Sequence, residues 1–367
     1  MKNTFGSSVS VTVFGESHGE AIGAVIDGLC AGLPVSYERI DAYLSKRRPS
    51  GRTDTPRQEK DEYKILSGVF NGKTTGTPIA IVIPNENTRS KDYAYGIARP
   101  SHADYTASQK YHGFEDYRGG GHFSGRVTAA LVAAGAIITS ALESLGIKIG
   151  THILKCAGVA DKPFSQDVSA LSQEISTLNS LCFPVLDEGA EGKMTEKILE
   201  ASREGDSVGG VLQTAICGLP AGVGEPFFDS VESVISHALF SVGGVKGIEF
   251  GSGFALADMK GSEANDPFEI ADGKIVTKTN NNGGINGGIT NSMPIIFNCA
   301  VKPTPSISKT QNTVDFIKNE NIPLEIKGRH DPAIVRRACV VVESLSALAI
   351  ADLLAQKYGT DVFLKGF

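Results

Sequence analysis

Two histidines and one aspartate stand in settings suited to proton transfer. His18 lies in FGESHGEA (14–21), directly after the strand-like SVTVF, with Glu16 and Ser17 beside it and glycines at both ends of the turn. A histidine held on a glycine-flanked turn at a strand end can exchange protons near neutral pH; the bland alternative is a capped turn with a surface histidine. RPSHADYT clusters Arg99, His102 and Asp104, which structural hydrogen bonding would explain equally well. In GRHDP (328–332), Arg329, His330 and Asp331 are adjacent. A carboxylate beside a guanidinium stays ionised more readily, so Asp331 could serve as a base where ligand binding removes water.

The chain also concentrates groups that bind anions. SKRRPSGR brings Lys46, Arg47, Arg48 and Arg52 close together after a helix-like stretch. Arginine makes bidentate contacts to phosphate or carboxylate, although a solvated basic face has the same composition. RGGGHFSGR (118–126) runs three glycines into His122, Phe123, Ser124 and Arg126, and then into VTAALVAAGAIITSAL. Free amides at a helix N-terminus attract phosphate. No Lys-Ser/Thr follows the last glycine, and KYHGFEDY before the loop does not read as a strand, so neither a Walker loop nor a dinucleotide fingerprint is present. A phosphate cradle and a tight structural turn stand as even alternatives. KPTPSIS (302–308) sets Lys302, Thr304 and Ser306 on a strand end stiffened by Pro303 and Pro305, a suitable phosphate anchor. NNNGGINGGIT (280–290), which holds Gly287, needs positive φ angles, and backbone geometry alone accounts for it.

The elements that must position these groups belong to a folded chain of 367 residues, 41% of them hydrophobic, enough for one large domain or two ordinary ones. With 35 basic against 41 acidic residues the net charge is -6, which argues against general attraction to nucleic acid or a membrane surface. Anion binding must then be local. The six cysteines form no CxxC pair and no metal-ligand spacing, as expected of reduced thiols without zinc or disulfides. The N-terminus lacks a signal-peptide core, and no run reads as the ~20 apolar residues of a membrane span, so the expected location is cytoplasmic.

One pattern occurs twice. AIGAVIDGLCAGLPVSYERIDAYL passes from a strand-like stretch through Gly32-Leu33-Pro34 into a helix with Ile40, Tyr43 and Leu44 on one face. GVLQTAICGLPAGVGEPFFDSVESVISHALF repeats the order through Gly218-Leu219-Pro220, with Val231, Val234, Ile235, Ala238 and Leu239 on the helix face and a capping box at Asp229 and Glu232. The expectation is a single domain over 1–367 built from two related halves, approximately 8–150 and 205–350. Strands are expected on both sides of an Asn71-Gly72 turn, in KGIEFGSGFALADMKG and in MPIIFNCAVKP. Helices are expected over Val127–Leu145, uncharged from Val127 to Leu142 and therefore buried, and over Val341–Lys357. Strands and helices mix without regular βαβ alternation, giving an α+β fold with sheets covering central helices.

Taken together and in order, FGESHG, RPSHADYT, YRGGGHFSGR, GDSVGG, GLPAGVGEPFFDS, NNGGINGGIT, KPTPSIS and KGRHDP closely resemble the chorismate synthase family over nearly the whole chain. The resemblance implies a large β-α-β sandwich, a homotetramer, and the 1,4-anti-elimination of phosphate from 5-enolpyruvylshikimate 3-phosphate, with reduced FMN as cofactor although no net redox change occurs. It implies that His18 protonates the departing phosphate, that His102 lies near the reduced flavin, and that Asp331 works with the flavin in removing the ring proton. By the same resemblance Arg47, Arg48, Arg52 and Arg126 bind substrate. His122, Phe123, Ser124, Gly287, Lys302, Pro303, Thr304, Pro305, Ser306 and Arg329 surround the flavin.

Two departures stand out from the family pattern. His122-Phe123-Ser124 replaces the usual Arg-Ser-Ser, and Ser241-Val242-Gly243-Gly244 replaces Ser-Ile-Asn-Ala. Some members reduce their own flavin with NADPH; no nicotinamide-binding segment is recognisable, so an external reductant is expected. The rival readings are a flavin- or phosphate-binding paralogue without catalysis, and a nucleotide-dependent phosphotransferase, which would need a Walker or kinase signature.

Overall fold

β-Branched runs ending in turn glycines build two five-stranded antiparallel sheets in the computed structural model, which describes residues 2–55, 60–86, 94–326 and 330–367. In spatial order the first holds Thr4–Phe5, Ser10–Gly15, Ala21–Asp27, Ile79–Pro84 and Lys64–Ile65. The second holds Val245–Phe250, Ile295–Val301, Gly210–Cys217, Lys148–Cys156 and Val159–Ala160. Each sheet buries one face by alternation, with Ile79, Ile81 and Ile83 inward in the first and Ile295, Phe297, Cys299 and Val301 in the second.

Four helices fill the space between. Tyr37–Arg47 and Thr128–Ser144 pack together beneath the first sheet, and Val231–Leu239 and Val335–Tyr358 pair beneath the second. Thr128–Ser144 also lies along Val335–Tyr358. They approach closely because Gly135 faces Ser344; a Cβ at Gly135 would lie 2.2 Å from the Ser344 Cβ. The expected α+β sandwich over central helices is the fold observed.

Both GLP segments join a strand to a central helix. Ser36 caps the first, accepting a hydrogen bond from the Arg39 amide at 3.1 Å. The second is capped by Ser230, which accepts from the Ser233 amide at 3.1 Å, so the expected cap at Asp229 is corrected. Asp229 belongs to the preceding 3-10 turn Phe227–Asp229, which leaves the Ser230 hydroxyl over the first helical amides.

Several boundaries also differ from expectation. The C-terminal helix begins at Val335, since Val335 and Ala338 continue the buried surface. It and Gly125–Ser144 are long and apolar enough to cross a membrane, contrary to the reading that no run is. The five charged side chains of Val335–Tyr358, Arg336, Arg337, Glu343, Asp352 and Lys357, all have partners inside the protein. The helix is surrounded by the sandwich. The Asn71-Gly72 turn closes only a short hairpin, Val69–Phe70 with Lys73–Thr74. KGIEFGSGFALADMKG forms a strand only to Phe250 before turning into 3-10 helix. Amphipathic helices Val168–Leu178 and Glu188–Arg203 were not anticipated.

Candidate functional site

Three glycines are required in RGGGHFSGR because the loop lies on the His18 turn. Gly119, Gly120 and Gly121 take φ values of 60°, 83° and 51°. A Cβ at Gly119 would stand 2.0 Å from Cε1 of His18, so the imidazole packs directly on this backbone. The Ser17 hydroxyl donates to the carbonyls of Arg118 and Gly119 at 3.3 and 3.1 Å, and the Ser17 amide donates to Gly121 O at 3.1 Å. Because that hydroxyl hydrogen is engaged, the 3.1 Å contact with His18 is Nδ1–H donating to Ser17 Oγ. His122 is tied to the same turn, its Nδ1–H donating to Gly15 O at 2.8 Å.

The arginine motif folds onto this loop. Arg47 ends its helix with Nη2 donating to Gly125 O at 2.9 Å, and Nη1 lies 3.3 Å from Oδ2 of Asp61. Arg48 Nε lies 3.7 Å from the same oxygen, and Arg126 Nη1 bonds Asp61 Oδ1. Among the described residues, three guanidiniums thus meet the wholly buried carboxylate of Asp61. Arg126 Nε also donates to Asn85 Oδ1 at 3.1 Å, and Asn85 Nδ2 donates to the carbonyls of Glu16 and Gly19 on either side of His18. Arg52 is exposed on the adjoining loop.

A second cluster joins RPSHADYT to KPTPSIS. His102 Nε2 lies 2.7 Å from Ser306 Oγ, and Lys302 Nζ donates to Ser101 O at 2.8 Å. Arg99 is bidentate to Asp104 at 2.8 and 2.7 Å. Burial, then the positive charges of Arg99 and Lys302, push His102 down to about 4 against the opposing pull of Asp104. Burial alone would raise Asp104, but its Arg99 bonds hold it below its ordinary value. Ser207 from GDSVGG donates to Thr304 O at 2.6 Å, and Pro303 packs against Gly209. Gln311 Nε2 reaches Pro305 O at 3.5 Å. The Lys302 amide donates to Gly244 O at 2.9 Å, which brings the divergent Ser241–Gly244 turn to the same place.

Asp331 completes the connection. Its Oδ1 accepts from the Thr55 amide at 3.0 Å, and Oδ2 pairs with Arg337. Arg329, expected as its guanidinium neighbour, lies outside the described residues; Arg337, in the first turn of the C-terminal helix, is a guanidinium that pairs with it. Pro332 O accepts from the Val208 amide at 2.8 Å, and Arg336 donates to the carbonyls of Lys46 and Arg48, so this segment touches both clusters. Gly120 lies against Arg99, where a Cβ would be 4.0 Å from Nη2.

Some assigned residues stand apart. Gly287 sits at the tip of the Ile285–Asn286/Ile289–Thr290 hairpin with open space around it, and the neighbouring Gly288 packs on Glu225 and Ser230. Phe123 is exposed and meets Tyr111 edge-on, while Ser124 caps the next turn by accepting from the Arg126 amide at 3.3 Å.

A helix-centred sandwich whose sheet ends bring buried arginines, histidines and a carboxylate together is the framework of an enzyme for a small anionic substrate. The chorismate synthase family model matches residues 9–355. Chorismate synthases of Lachnoclostridium phytofermentans and Thermococcus kodakarensis are 49% and 44% identical to the chain, each over 96% of it and over 95% and 97% of their own lengths. A crystal structure of a chorismate synthase superposes with a TM-score of 0.77 at 30% identity, covering 96% of this chain and 94% of that one. The chain belongs to the chorismate synthase family and is a lyase of aromatic amino-acid biosynthesis.

Proposed function

We propose that the protein converts 5-enolpyruvylshikimate 3-phosphate to chorismate by 1,4-anti-elimination of phosphate, with reduced FMN bound in the same site. The observation that carries this reading is the packing of the His18 ring on Gly119, near Arg126, which is linked to the His18 turn through Asn85. It supports reading His18 as a proton donor beside an anion-binding group.

The residues present fit an anionic cofactor. Thr304 Oγ1 is buried without a protein partner, on the motif that also supplies Lys302 and Ser306. With His122, Ser124 and the glycine loop, these residues would hold FMN; Phe123, Pro303, Pro305, Gly287 and Arg329 are assigned to it by family resemblance. When bound there, reduced FMN would supply the electron density that the elimination calls for as the C–O bond breaks.

Arg47, Arg48, Arg52 and Arg126 bind the substrate's phosphate and carboxylates. His18 delivers a proton to the departing phosphate, and Asp331, oriented by Thr55 and Arg337, takes up the ring proton. His102, neutral in the ligand-free site, gains a proton when an anion arrives beside it.

Further parts of the reading are a cytoplasmic homotetramer, an external flavin reductant, and two related halves, 8–150 and 205–350, supported by the repeated strand, GLP turn and capped helix. Anaerobic phosphate release from the named substrate with dithionite-reduced FMN tests the activity, and a parallel assay with NADPH alone tests self-reduction. Flavin binding without phosphate release would make the protein a binding paralogue.

A further inference from the structure

We propose that Asn85 is a positioning residue for His18, a side chain that fixes the 16–19 turn against the end of the strand Ile79–Pro84. The proposal rests on the reading of His18 as the proton donor. Asn85 follows that strand directly, in IVIPNEN, with nothing in the sequence to mark it. Strand pairing sets Ala21 opposite Pro84, and the Asn85 amide donates to Glu20 O at 3.0 Å, so the sheet register delivers the next side chain to the turn. There Asn85 Nδ2 donates to Glu16 O at 2.8 Å and to Gly19 O at 3.0 Å, the carbonyls on either side of Ser17 and His18. Its Oδ1 accepts from Arg126 Nε at 3.1 Å, and Arg126 Nη2 donates to Pro84 O at 3.2 Å.

The partners explain why the residue is an amide. A backbone carbonyl only accepts and a guanidinium only donates, so Nδ2 and Oδ1 cannot trade places. Aspartate has the same shape and would keep the bond to Arg126, but it has no hydrogen to give to Glu16 O or Gly19 O. The turn is closed by its own bond from the Gly19 amide to Glu16 O at 3.1 Å, and Ser17 attaches it to the glycine loop by its hydroxyl and its amide. Asn85 attaches the carbonyls that those bonds leave to be held. The His18 ring, already against the Gly119 backbone, has no slack on that side. A displacement of about 1 Å in a group that must meet a reacting atom costs up to ~10²-fold in rate.

The test compares the parent, Asn85→Asp, His18→Ala and the double variant in anaerobic phosphate release from 5-enolpyruvylshikimate 3-phosphate with dithionite-reduced FMN. Asn85→Asp should lower kcat at least tenfold with KM changed less than threefold, the split expected when a proton donor moves and the arginine contact stays. In the His18→Ala background the same substitution should cost under twofold, because its effect passes through His18. Hydrogen exchange in the ligand-free protein gives a readout without turnover: a peptide covering 14–21 should exchange at least tenfold faster in Asn85→Asp, while the strand Lys148–Cys156 exchanges as in the parent. A kcat for Asn85→Asp within twofold of the parent overturns the proposal, as do a loss carried wholly by KM, effects of the two substitutions that multiply, and unchanged exchange in the 14–21 peptide. If Asn85→Asp does not fold, Asn85→Gln decides: its longer amide must shift the turn and lower kcat at least threefold, and parent-like kcat overturns the proposal. His18→Ala with parent-like turnover refutes the reading of His18 as proton donor and the proposal with it; a slow His18→Ala beside a parent-like Asn85→Asp refutes the proposal alone.

Discussion

His102 Nε2 lies 2.7 Å from Ser306 Oγ, joining two motifs 204 positions apart in a pocket that disfavours a proton on the imidazole. The folded value of about 4 is below the ~6.5 of an unfolded histidine, so between those values the unfolded chain binds more protons than the folded one. The contribution to stability is complete above pH ~6.5 and is lost as pH falls toward 4, by at most ~3 kcal/mol. His102→Gln should flatten this limb when melting temperature is followed from pH 7.5 to 4. An acid limb as steep as the parent's would remove His102 as its cause.

Gly119→Ala introduces a methyl group 2.0 Å from His18 Cε1 on a backbone with φ of 60°. Turnover should fall more than tenfold while the secondary structure and a single melting transition are largely retained. Steady-state kinetics beside circular dichroism would check this, and parent-like kcat would show that the His18 position does not matter.

His18→Ala and Asp331→Ala should each lower turnover at least tenfold with FMN still bound, in line with the ~10²- to 10⁴-fold typical of acid–base groups. Flavin fluorescence quenching and anaerobic phosphate release measure the two quantities separately. Near-parent turnover in either variant would take that residue out of the mechanism.

Thr304→Val replaces a buried hydroxyl that has no protein partner with an isosteric methyl group. Relief of an unsatisfied polar atom should leave the ligand-free protein as stable or more stable, by ~1 kcal/mol, while FMN affinity falls three- to tenfold. Unchanged affinity in a flavin titration would mean that the hydroxyl does not serve the cofactor.

Features governed by local chemistry were legible in the sequence. The GLP turns, the glycine loop before an uncharged helix and the inward alternation of the strands follow from residue types at short spacing. Asp61 was not legible, because its importance comes from Arg47, Arg48 and Arg126 converging from different segments. Arg337 was hidden for a related reason: it reads as the start of a core helix until folding brings Asp331 beside it. Val168–Leu178 did carry a signal, an Asp167 cap and buried Leu171, Ile175 and Leu178 at helical spacing. The apolar length of Val335–Tyr358 misled in the opposite sense, since sequence alone does not say whether lipid or protein will surround a helix.

The contact of Gly135 with Ser344 also bears on how the molecule comes apart. Each sheet rests on a helix whose other side is covered by the partner layer's helix, so neither layer can melt without exposing the apolar surface of the other. Unfolding should be one cooperative event for the body of the protein, with no species in which one layer survives, and the His18 turn and the arginines near it should lose their structure at the same denaturant concentration.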